Sequence, residues 1–252
     1  MDKDYRTILY EDYAESFKNS TGRFDHVAAD KWAPCLKYYL RHWLPVEKKA
    51  RIIDLGCGEG RILYLLKQMG YTNVEGVDIS ESQLQIARQV SDSVVKADVI
   101  EYLKNTSAKY DLIISLDVIE HFHKGNALDF LDFCRSRLSA NGRLVLQTPN
   151  ASSPFFGDVR YGDFTHELGF TPRLLSQLIR RAGFQSTEVR ETGPVPKGYS
   201  IKSSIRFVIW QFVRLIYCLL ESIETGGCGD QVYTRVFLIS AKVSQSMVDS
   251  QD

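Results

Sequence analysis

The chain has 252 residues, of which 44% are apolar and 25% charged, as is ordinary for a soluble globular protein. This length allows one sizeable α/β domain and is too short for two. The 31 basic residues balance the 31 acidic ones, so no net field attracts nucleic acid, and we expect no nucleic-acid partner. Five widely spaced cysteines form neither a zinc pattern nor a disulfide framework, and their odd number favours a reducing cytosol.

The first 48 residues are rich in aromatic side chains and predict a helical cover over the rest of the chain. Its clearest helix is expected at about 30–43, where Pro45 would end it. The extreme N-terminus is polar and has no apolar core, so we predict no secretory signal and a cytoplasmic protein.

From Arg51 onwards, short apolar runs alternate with helical stretches. The predicted strands are RIIDL, NVEGVD, SVVKAD, YDLIISLDV and GRLVLQT, and helical spacing covers 60–69, 80–90 and 126–138, with a short turn near 100–103. Strands that alternate with helices predict a parallel sheet covered on both faces, with right-handed crossovers. We therefore expect a doubly wound α/β fold.

The C-terminal third predicts an elaborated edge of this single domain. A loop at 149–170 precedes a helix at 172–182 and a strand at 184–191. Thr171 is the expected N-cap of that helix and Gly183 its stop. An apolar helical insertion at 197–227 comes next, and the last strand, at about 232–243, should lie antiparallel at the sheet edge.

The insertion contains the run IRFVIWQFVRLIYCLL at 205–220. It is too short and too charged for a comfortable membrane span. On a helical wheel its three polar residues, Arg206, Gln211 and Arg214, share one half. Two interpretations stay open: a helix that packs in the core or in a homodimer, and an interfacial helix that sends both arginines toward lipid headgroups. The second would place the protein at the inner face of the membrane.

A glycine turn comes directly after the first strand. Gly56, Gly58 and Gly60 allow positive φ angles and let a ligand lie against bare backbone. Dinucleotide-binding oxidoreductases use a similar turn, but their G-x-G-x-x-G pattern would need a glycine where Arg61 stands. Glu59 also suits a pyrophosphate poorly at a helix N-terminus. A nucleotide-binding oxidoreductase is therefore the weaker alternative.

Acidic residues stand at the ends of the next three strands: Asp78, Asp98 and Asp117. In open α/β sheets, ligands bind at the carboxyl edge of the strands, so these side chains should meet in one crevice. Asp78 could accept both hydroxyls of a ribose, and Asp98 an adenine amino group. Each acid alone would equally suit a helix N-cap.

Five segments in this order, D-L-G-C-G-E-G, G-V-D-I-S, A-D-V, Y-D-L-I-I-S-L-D-V-I-E-H and L-S-A-N-G-R-L-V-L-Q-T-P-N, resemble the successive motifs of class I S-adenosylmethionine-dependent methyltransferases. The resemblance implies a mostly parallel, seven-stranded, Rossmann-like sheet with S-adenosylmethionine as the cofactor. It assigns cofactor contacts to Asp54, Gly56, Cys57 and Gly58 (methionine and ribose), Asp78 (ribose hydroxyls), Ile79, Asp98 and Val99 (adenine), and Leu116 and Asp117 (methionine end). We count Asp117 among the catalytic candidates as well.

Two histidines are candidates for the base that a hydroxyl acceptor needs. His121 stands just after the fourth strand, in an E-H pair found in many small-molecule methyltransferases, and His166 lies in the loop after the fifth strand. Tyr161 and Asp163 of that loop could face an acceptor. Both histidines could instead serve only to bond backbone or to fix the loop. No His/Asp/Glu cluster with metal-ligand spacing stands out, and we expect no metal.

The segments after the fourth and fifth strands predict the class of acceptor. No N-P-P-Y or D-P-P-Y stands after the fourth strand, which favours an oxygen acceptor over a base or amide nitrogen. Residues 147–184 resemble bacterial polysaccharide-biosynthesis methyltransferases, which implies a sugar hydroxyl or glycan precursor. Ubiquinone-pathway O-methyltransferases share the E-H and N-G-R segments, so a phenolic or quinone-like acceptor is the alternative. A non-catalytic cofactor-binding partner of another methyltransferase is the third hypothesis.

Overall fold

The computed structural model describes Leu9 and residues 21–243. Most of the aromatic segment at 1–20, on which part of the helical-cover prediction depends, lies outside the described residues. The helices are α1 (His26–Tyr39), α2 (Arg61–Gln68), α3 (Glu81–Ala87), α4 (Val99–Asn105), α5 (Lys124–Arg137), α6 (Phe156–Arg160), α7 (Pro172–Arg181) and α8 (Ile201–Thr225). The strands are β1 (Ile52–Leu55), β2 (Val74–Asp78), β3 (Val94–Lys96), β4 (Tyr110–Leu116), β5 (Leu138–Pro149), β6 (Ser186–Glu191) and β7 (Val236–Lys242).

All seven strands form one sheet in the order β3-β2-β1-β4-β5-β7-β6. The pairs β1–β2, β1–β4, β2–β3 and β4–β5 are parallel, and β7 runs antiparallel to both neighbours. The predicted doubly wound, mostly parallel sheet is therefore confirmed. The last strand is antiparallel as expected, and β6 adds outside it, so β7 lies one position in from the edge.

Alternating side chains of the central strands supply two hydrophobic clusters, one on each face of the sheet. Ile53 and Ile113 belong to one cluster, and Ile52 and Leu112 to the other. Because successive residues of a strand point to opposite faces, both faces need a cover, and the crossover helices provide it. Every residue of β1 is buried, as its central position requires.

Helix α1 begins and ends about four residues earlier than the sequence predicts. The side chain of Asp25 accepts a hydrogen bond from the Ala28 amide at 2.9 Å and caps the helix there. At the other end the backbone leaves the helix at Leu40, and residues 40–43 form turns. Tyr39, Leu40 and Trp43 are nevertheless buried against the sheet, so this part of the predicted cover is formed.

Helix α8 covers 25 residues and is more exposed than a core helix. Ser203 is its single fully buried residue, so the core-packing interpretation is wrong. By length and composition it is also the one helix among the described residues that could cross a membrane. A disulfide joins Cys218, in the helix, to Cys228 in the next loop, a pairing that the cysteine spacing did not predict.

Candidate active site

The glycine turn lies at the carboxyl end of β1 and is tied to β2. The amides of Gly56 and Cys57 both donate to the carbonyl of Val77, at 2.7 and 3.0 Å. Gly56 has a φ of +78°, and a Cβ built on it would collide with the side chain of Val118. Only glycine therefore fits there, and the turn leaves its backbone open to a ligand.

Two buried carboxyl groups lie beneath this turn. Asp54 is 2% exposed and Asp78 is 7% exposed. Burial, and secondly the negative charge of Asp78, raise the pKa of Asp54 to about 8. Asp78 accepts hydrogen bonds from the amides of Gly58 and Ser80, both at 2.8 Å. Its predicted ribose contact stays a prediction, with the added finding that this carboxylate also holds the turn in shape.

The predicted adenine end combines an exposed apolar side chain with a helix cap. Ile79 is 45% exposed beside the buried Asp78, as a side chain that stacks on adenine would be. Asp98 caps α4 by accepting from the amides of Ile100 and Glu101, at 2.9 and 3.1 Å. Val99 is 7% exposed and packs in the core. The adenine contacts of Asp98 and Val99 remain predictions.

The predicted methionine end lies where β4 ends. Leu116 is half-buried, and Asp117 is exposed with a φ of +56°, unusual for a non-glycine residue. The side chain of Gln147 donates to the Asp117 carboxylate at 2.8 Å, and the Asp117 amide donates to the Gln147 carbonyl at 3.0 Å. This turn fixes Asp117 at the carboxyl edge, near the glycine turn of the adjacent β1. Cys57, also assigned to the cofactor, is buried, which raises the pKa of its thiol.

The two predicted histidines come together. The ring centroids of His121 and His166 lie 4.7 Å apart, with planes inclined by 61°. The amides of Glu167 and Leu168 donate to the Glu120 carbonyl, at 2.8 and 2.9 Å, and so bring the loop onto the end of β4. The loop therefore places His166 beside His121, and their catalytic roles stay predictions.

Glu120 is a third member of this cluster, and the sequence reasoning missed it. Its side chain is fully buried, one oxygen accepts from the Thr148 hydroxyl at 3.0 Å, and the other lies 4.0 Å from Nε2 of His166. Burial raises the pKa of the Glu120 carboxyl well above its usual range, and the charge of Asp117 adds to this. An acid between Ile119 and Phe122, both apolar and buried, is the signal that could have drawn attention to it.

Asp163 and Tyr161, the other two predicted residues of the loop after β5, have different surroundings. Asp163 accepts from both the amide and the hydroxyl of Thr165, at 2.8 and 2.6 Å. The Thr165 hydroxyl oxygen lies 2.8 Å from Nδ1 of His121. The Thr165 hydroxyl donates its proton to Asp163, so its oxygen accepts from Nδ1–H of His121. The basic lone pair of His121 is therefore on Nε2. Asp163 therefore orients His121, whereas Tyr161 is 80% exposed on the loop surface.

A strand–glycine turn–helix with acids at the neighbouring strand ends, in a sheet of this order, defines a class I S-adenosylmethionine-dependent methyltransferase. The comparisons with known proteins agree. The chain belongs to the methyltransferase-domain family, whose model matches residues 15–189. S-adenosylmethionine is accordingly its cofactor, and the oxidoreductase alternative is set aside.

Curated relatives include ubiquinone biosynthesis O-methyltransferases. The mitochondrial protein of Arabidopsis thaliana is 32% identical over 161 residues, and the match covers 55% of this chain and about half (48%) of that protein. The protein of Dinoroseobacter shibae is 24% identical over 205 residues, covering 66% of this chain and 82% of the relative. Both relatives are named for ubiquinone biosynthesis and neither for polysaccharide biosynthesis.

Solved structures share the fold. A methyltransferase from Archaeoglobus fulgidus superposes with a TM-score of 0.62 at 23% identity, covering 95% of this chain and 100% of that one. Magnesium protoporphyrin IX methyltransferase from Synechocystis, with S-adenosylmethionine bound, gives a TM-score of 0.56 at 17% identity, covering 96% and 98%. At these identities the likeness concerns the fold alone.

Proposed function

We propose that this protein transfers a methyl group from S-adenosylmethionine to a hydroxyl of a phenolic or quinone-like acceptor. The observation that carries the proposal is the cluster of the buried Glu120 with His121 and His166 at the cofactor edge of the sheet. Acid–base groups of this kind suit an acceptor that must lose a proton. The ubiquinone-pathway relatives support a phenol over a sugar hydroxyl.

The residues of the glycine turn fit the cofactor. The bare backbone at Gly56 leaves room that a Cβ would close, and Asp78 has two carboxylate oxygens with which to accept ribose hydroxyls beside the amides it already holds. When bound, S-adenosylmethionine supplies a methyl group on a positively charged sulfur that leaves with the bonding electron pair. The protein has mainly to align the acceptor oxygen with that methyl group.

His121 is suited to hold the acceptor proton. Asp163 and Thr165 fix its tautomer, so Nε2 carries the basic lone pair. Packing of His121 against His166, whose side chain is 9% exposed, limits the rotation of both rings. A hydroxyl near Nε2 would lose its proton to the imidazole as its oxygen bonds to the methyl carbon. Asp163, predicted to contact the acceptor, contributes here by orienting His121.

The test is methyl transfer measured by mass spectrometry on matched acceptors. We expect a mass gain of one methylene on a catechol-type phenol and none on a free or nucleotide-linked sugar. His121→Ala and His166→Ala should retain affinity for S-adenosylhomocysteine, measured by calorimetry, while turnover falls about 100-fold or more. His123→Ala removes an exposed histidine two residues away and serves as the control. Transfer to the sugar alone would refute the phenolic acceptor, and full activity in a variant would remove that histidine from the mechanism.

The outer face of α8 is apolar and exposed, which bears on where in the cell the protein binds its acceptor. Ten apolar side chains, each 55–81% exposed, face outward from one end of the helix to the other: Ile201, Ile205, Val208, Ile209, Phe212, Leu215, Ile216, Leu219, Leu220 and Ile223. The polar side turns inward, where Trp210 donates to the carboxylate of Glu191 at 3.1 Å and Arg214 pairs with it at 3.2 Å. This reverses the sequence-based expectation that Arg214 points to lipid headgroups.

We infer that this outer face lies in the interfacial layer of a membrane. An apolar stripe without a charged residue suits the acyl boundary, and the exposed Lys202 and Arg206 at its first two turns suit anionic headgroups. The inward contacts of Trp210 and Arg214 keep the helix on the protein surface, which favours lying on a membrane over crossing it. A peripheral position would bring the protein to an acceptor with an apolar tail.

Vesicle flotation tests this placement. The protein should float with vesicles that contain anionic phospholipid, and a double variant, Phe212→Asp with Ile216→Asp, should not. Glu224→Gln changes an exposed polar residue near the end of the same helix and should float normally. The contrary outcome is that neither protein floats, and that analytical ultracentrifugation finds a dimer of the wild type and a monomer of the double variant. This outcome would make the outer face of α8 a subunit interface instead.

A further inference from the structure

We propose that the Cys218–Cys228 disulfide is a redox-active site, opened and closed by exchange with a low-molecular-weight thiol such as glutathione. All five cysteines of the chain lie among the described residues. Cys218 and Cys228 are joined, whereas Cys35, Cys57 and Cys134 are free thiols. Disulfides of cytosolic proteins are usually transient, catalytic or redox-sensing. For a chain predicted to be cytoplasmic, a single disulfide beside three free thiols therefore favours an exchanging bond over a permanent one.

The backbone brings the two cysteines together independently of the bond. Helix α8 ends at Thr225, and Gly226 follows with a φ of +81°, which turns the chain back along the helix. The hydroxyl of Thr225 donates to the carbonyl of Gly227 at 3.0 Å and holds this turn. The Cα atoms of Cys218 and Cys228 are 5.1 Å apart, inside the range of about 4.4–6.8 Å that disulfides require. The two thiols should therefore stay close when the bond is open, so that it can form again.

The reduced form also has hydrogen-bond partners at this place. Sγ of Cys228 lies 3.4 Å from the carbonyl oxygen of Cys218 and 3.1 Å from Oγ of Ser222. The Ser222 hydroxyl donates its own proton to the Cys218 carbonyl at 2.8 Å, so its oxygen keeps lone pairs for an S–H donor. After reduction, the Cys228 thiol can donate to either oxygen without moving far. The site thus accommodates both the oxidised and the reduced state.

A small thiol can approach Cys228 from the loop side. Cys228 is half-buried, and its neighbours Gly227 and Gly229 are exposed and carry no side chain that would block the sulfur. The thiolate of one glutathione attacks Sγ of Cys228 and forms a mixed disulfide, while the electron pair of the broken S–S bond leaves with Sγ of Cys218, which is then protonated by water. A second glutathione thiolate attacks the glutathione sulfur of the mixed disulfide and releases Cys228, which is protonated in turn. The protein disulfide gains two electrons, and two glutathione molecules become one glutathione disulfide; the reverse reaction closes the bond.

The disulfide closes the end of α8 and the loop after it into one unit. Within the described part of the chain, the hydrogen bonds of residues 222–229 reach only α8 and this loop. Fixed points lie on either side: Glu221 accepts from the hydroxyl of Tyr233 at 3.0 Å, and Asp230 accepts from the amide of Arg173 at 3.0 Å. Opening the bond should therefore loosen the segment between these two points and leave the rest of the fold in place.

This unit contains the end of the outer apolar face of α8. Ile223, which is 74% exposed, lies in the last turn of the helix, inside the segment that reduction should loosen. If that turn unwinds, the outer face becomes shorter, and the apolar area available to a membrane falls. The redox state of the disulfide would then adjust the strength of membrane attachment. This consequence rests on the proposed function, whereas the redox site itself does not.

Thiol counting in glutathione buffers tests the site on the full chain. The protein is equilibrated with reduced and oxidised glutathione at a series of ratios, quenched with acid, unfolded and labelled with N-ethylmaleimide. Mass spectrometry should count five labels in excess reduced glutathione, and three labels without bound glutathione in the oxidising buffers. Cys228→Ser should lose this two-thiol step. Cys35→Ser removes a half-buried free thiol and should keep the step, with one label fewer in both states.

Hydrogen–deuterium exchange and flotation of the two forms test the consequences. Exchange should be faster in the reduced form at 222–229 and equal in β1 to β4, and the reduced form should float less with anionic vesicles. Five labels in every buffer, or three labels in excess reduced glutathione until urea unfolds the chain, would overturn the redox site. Equal exchange at 222–229 in both forms would overturn the loosening of the helix end. A two-thiol step in a protein that does not float in either form would support the redox site and refute the membrane placement.

Discussion

Replacement of Asp54 by asparagine should flatten the pH dependence of stability. The folded-state pKa of Asp54 is about 8, because the side chain is buried and secondly because Asp78 lies nearby. An unfolded aspartate has a pKa of about 3.9, so folding raises it by about four units, which corresponds to a maximum of about 5–6 kcal/mol. The folded chain therefore binds this proton more tightly than the unfolded chain does. Stability contributed by the protonated carboxyl is complete below about pH 4 and is lost as the pH rises to about 8.

Between pH 5 and pH 7, this loss amounts to about 1.4 kcal/mol per pH unit, or about 3 kcal/mol in all. The amide that replaces the carboxyl group carries no titrating proton, so Asp54→Asn should lack that slope. Urea unfolding at pH 5, 6 and 7 gives the free energy of unfolding of the wild type and of the variant. The difference between these two free energies should change with pH by this amount. Asp98→Asn makes the same charge change at an exposed helix cap and should run parallel to the wild type. Parallel curves for Asp54→Asn itself would show that Asp54 is ionised in the folded protein and refute the reasoning.

Three further substitutions test the cofactor edge and the attachment of α8. Asp78→Ala should weaken S-adenosylhomocysteine binding by about 1–3 kcal/mol, or roughly 5- to 150-fold, in calorimetry; unchanged affinity would exclude it as the ribose acceptor. Gly56→Ala forces a Cβ onto Val118 at a positive φ, so thermal unfolding should occur at a lower temperature and cofactor affinity should fall. Glu191→Gln removes the charged partner of Trp210 and should lower the free energy of unfolding by about 1–3 kcal/mol in urea titrations; a difference below about 0.5 kcal/mol would indicate that α8 is held by other contacts.

The sequence predicted the sheet well because its signals were local. Five short apolar runs separated by helical spacing are typical of a parallel layer, and β1 to β4 match their runs closely. Strand β5 begins at Leu138, four residues before its run. Helix α7 is bounded as predicted because Thr171 caps it and Pro172 begins it. The start of α1 was predicted about four residues too late, because the capping side chain of Asp25 precedes the apolar periodicity.

The role of α8 could not be decided from its sequence. A helical wheel separates a polar from an apolar side, but it does not say which side meets the protein. Here the buried edge is polar, because Glu191 at the end of β6 provides the partner for both Trp210 and Arg214. The Tyr233 amide donates to the other oxygen of Glu191 at 2.9 Å and orients its carboxylate. The order of the sheet places these partners beside the helix, and that order is a long-range property.

The histidine cluster combines a local and a distant signal. Glu120 and His121 are adjacent in sequence, at the turn directly after β4, and the β4–β5 pairing places Thr148 within reach of Glu120. His166 arrives only because the loop after β5 returns to donate two amides to the Glu120 carbonyl. The backbone carbonyl of Glu120 holds the loop, and its carboxyl group belongs to the cluster. Glu120→Gln should therefore preserve the position of the loop while it removes the carboxyl group. Glu120→Gln therefore tests whether the carboxyl group of the cluster takes part in proton transfer, while the loop that carries His166 stays in place.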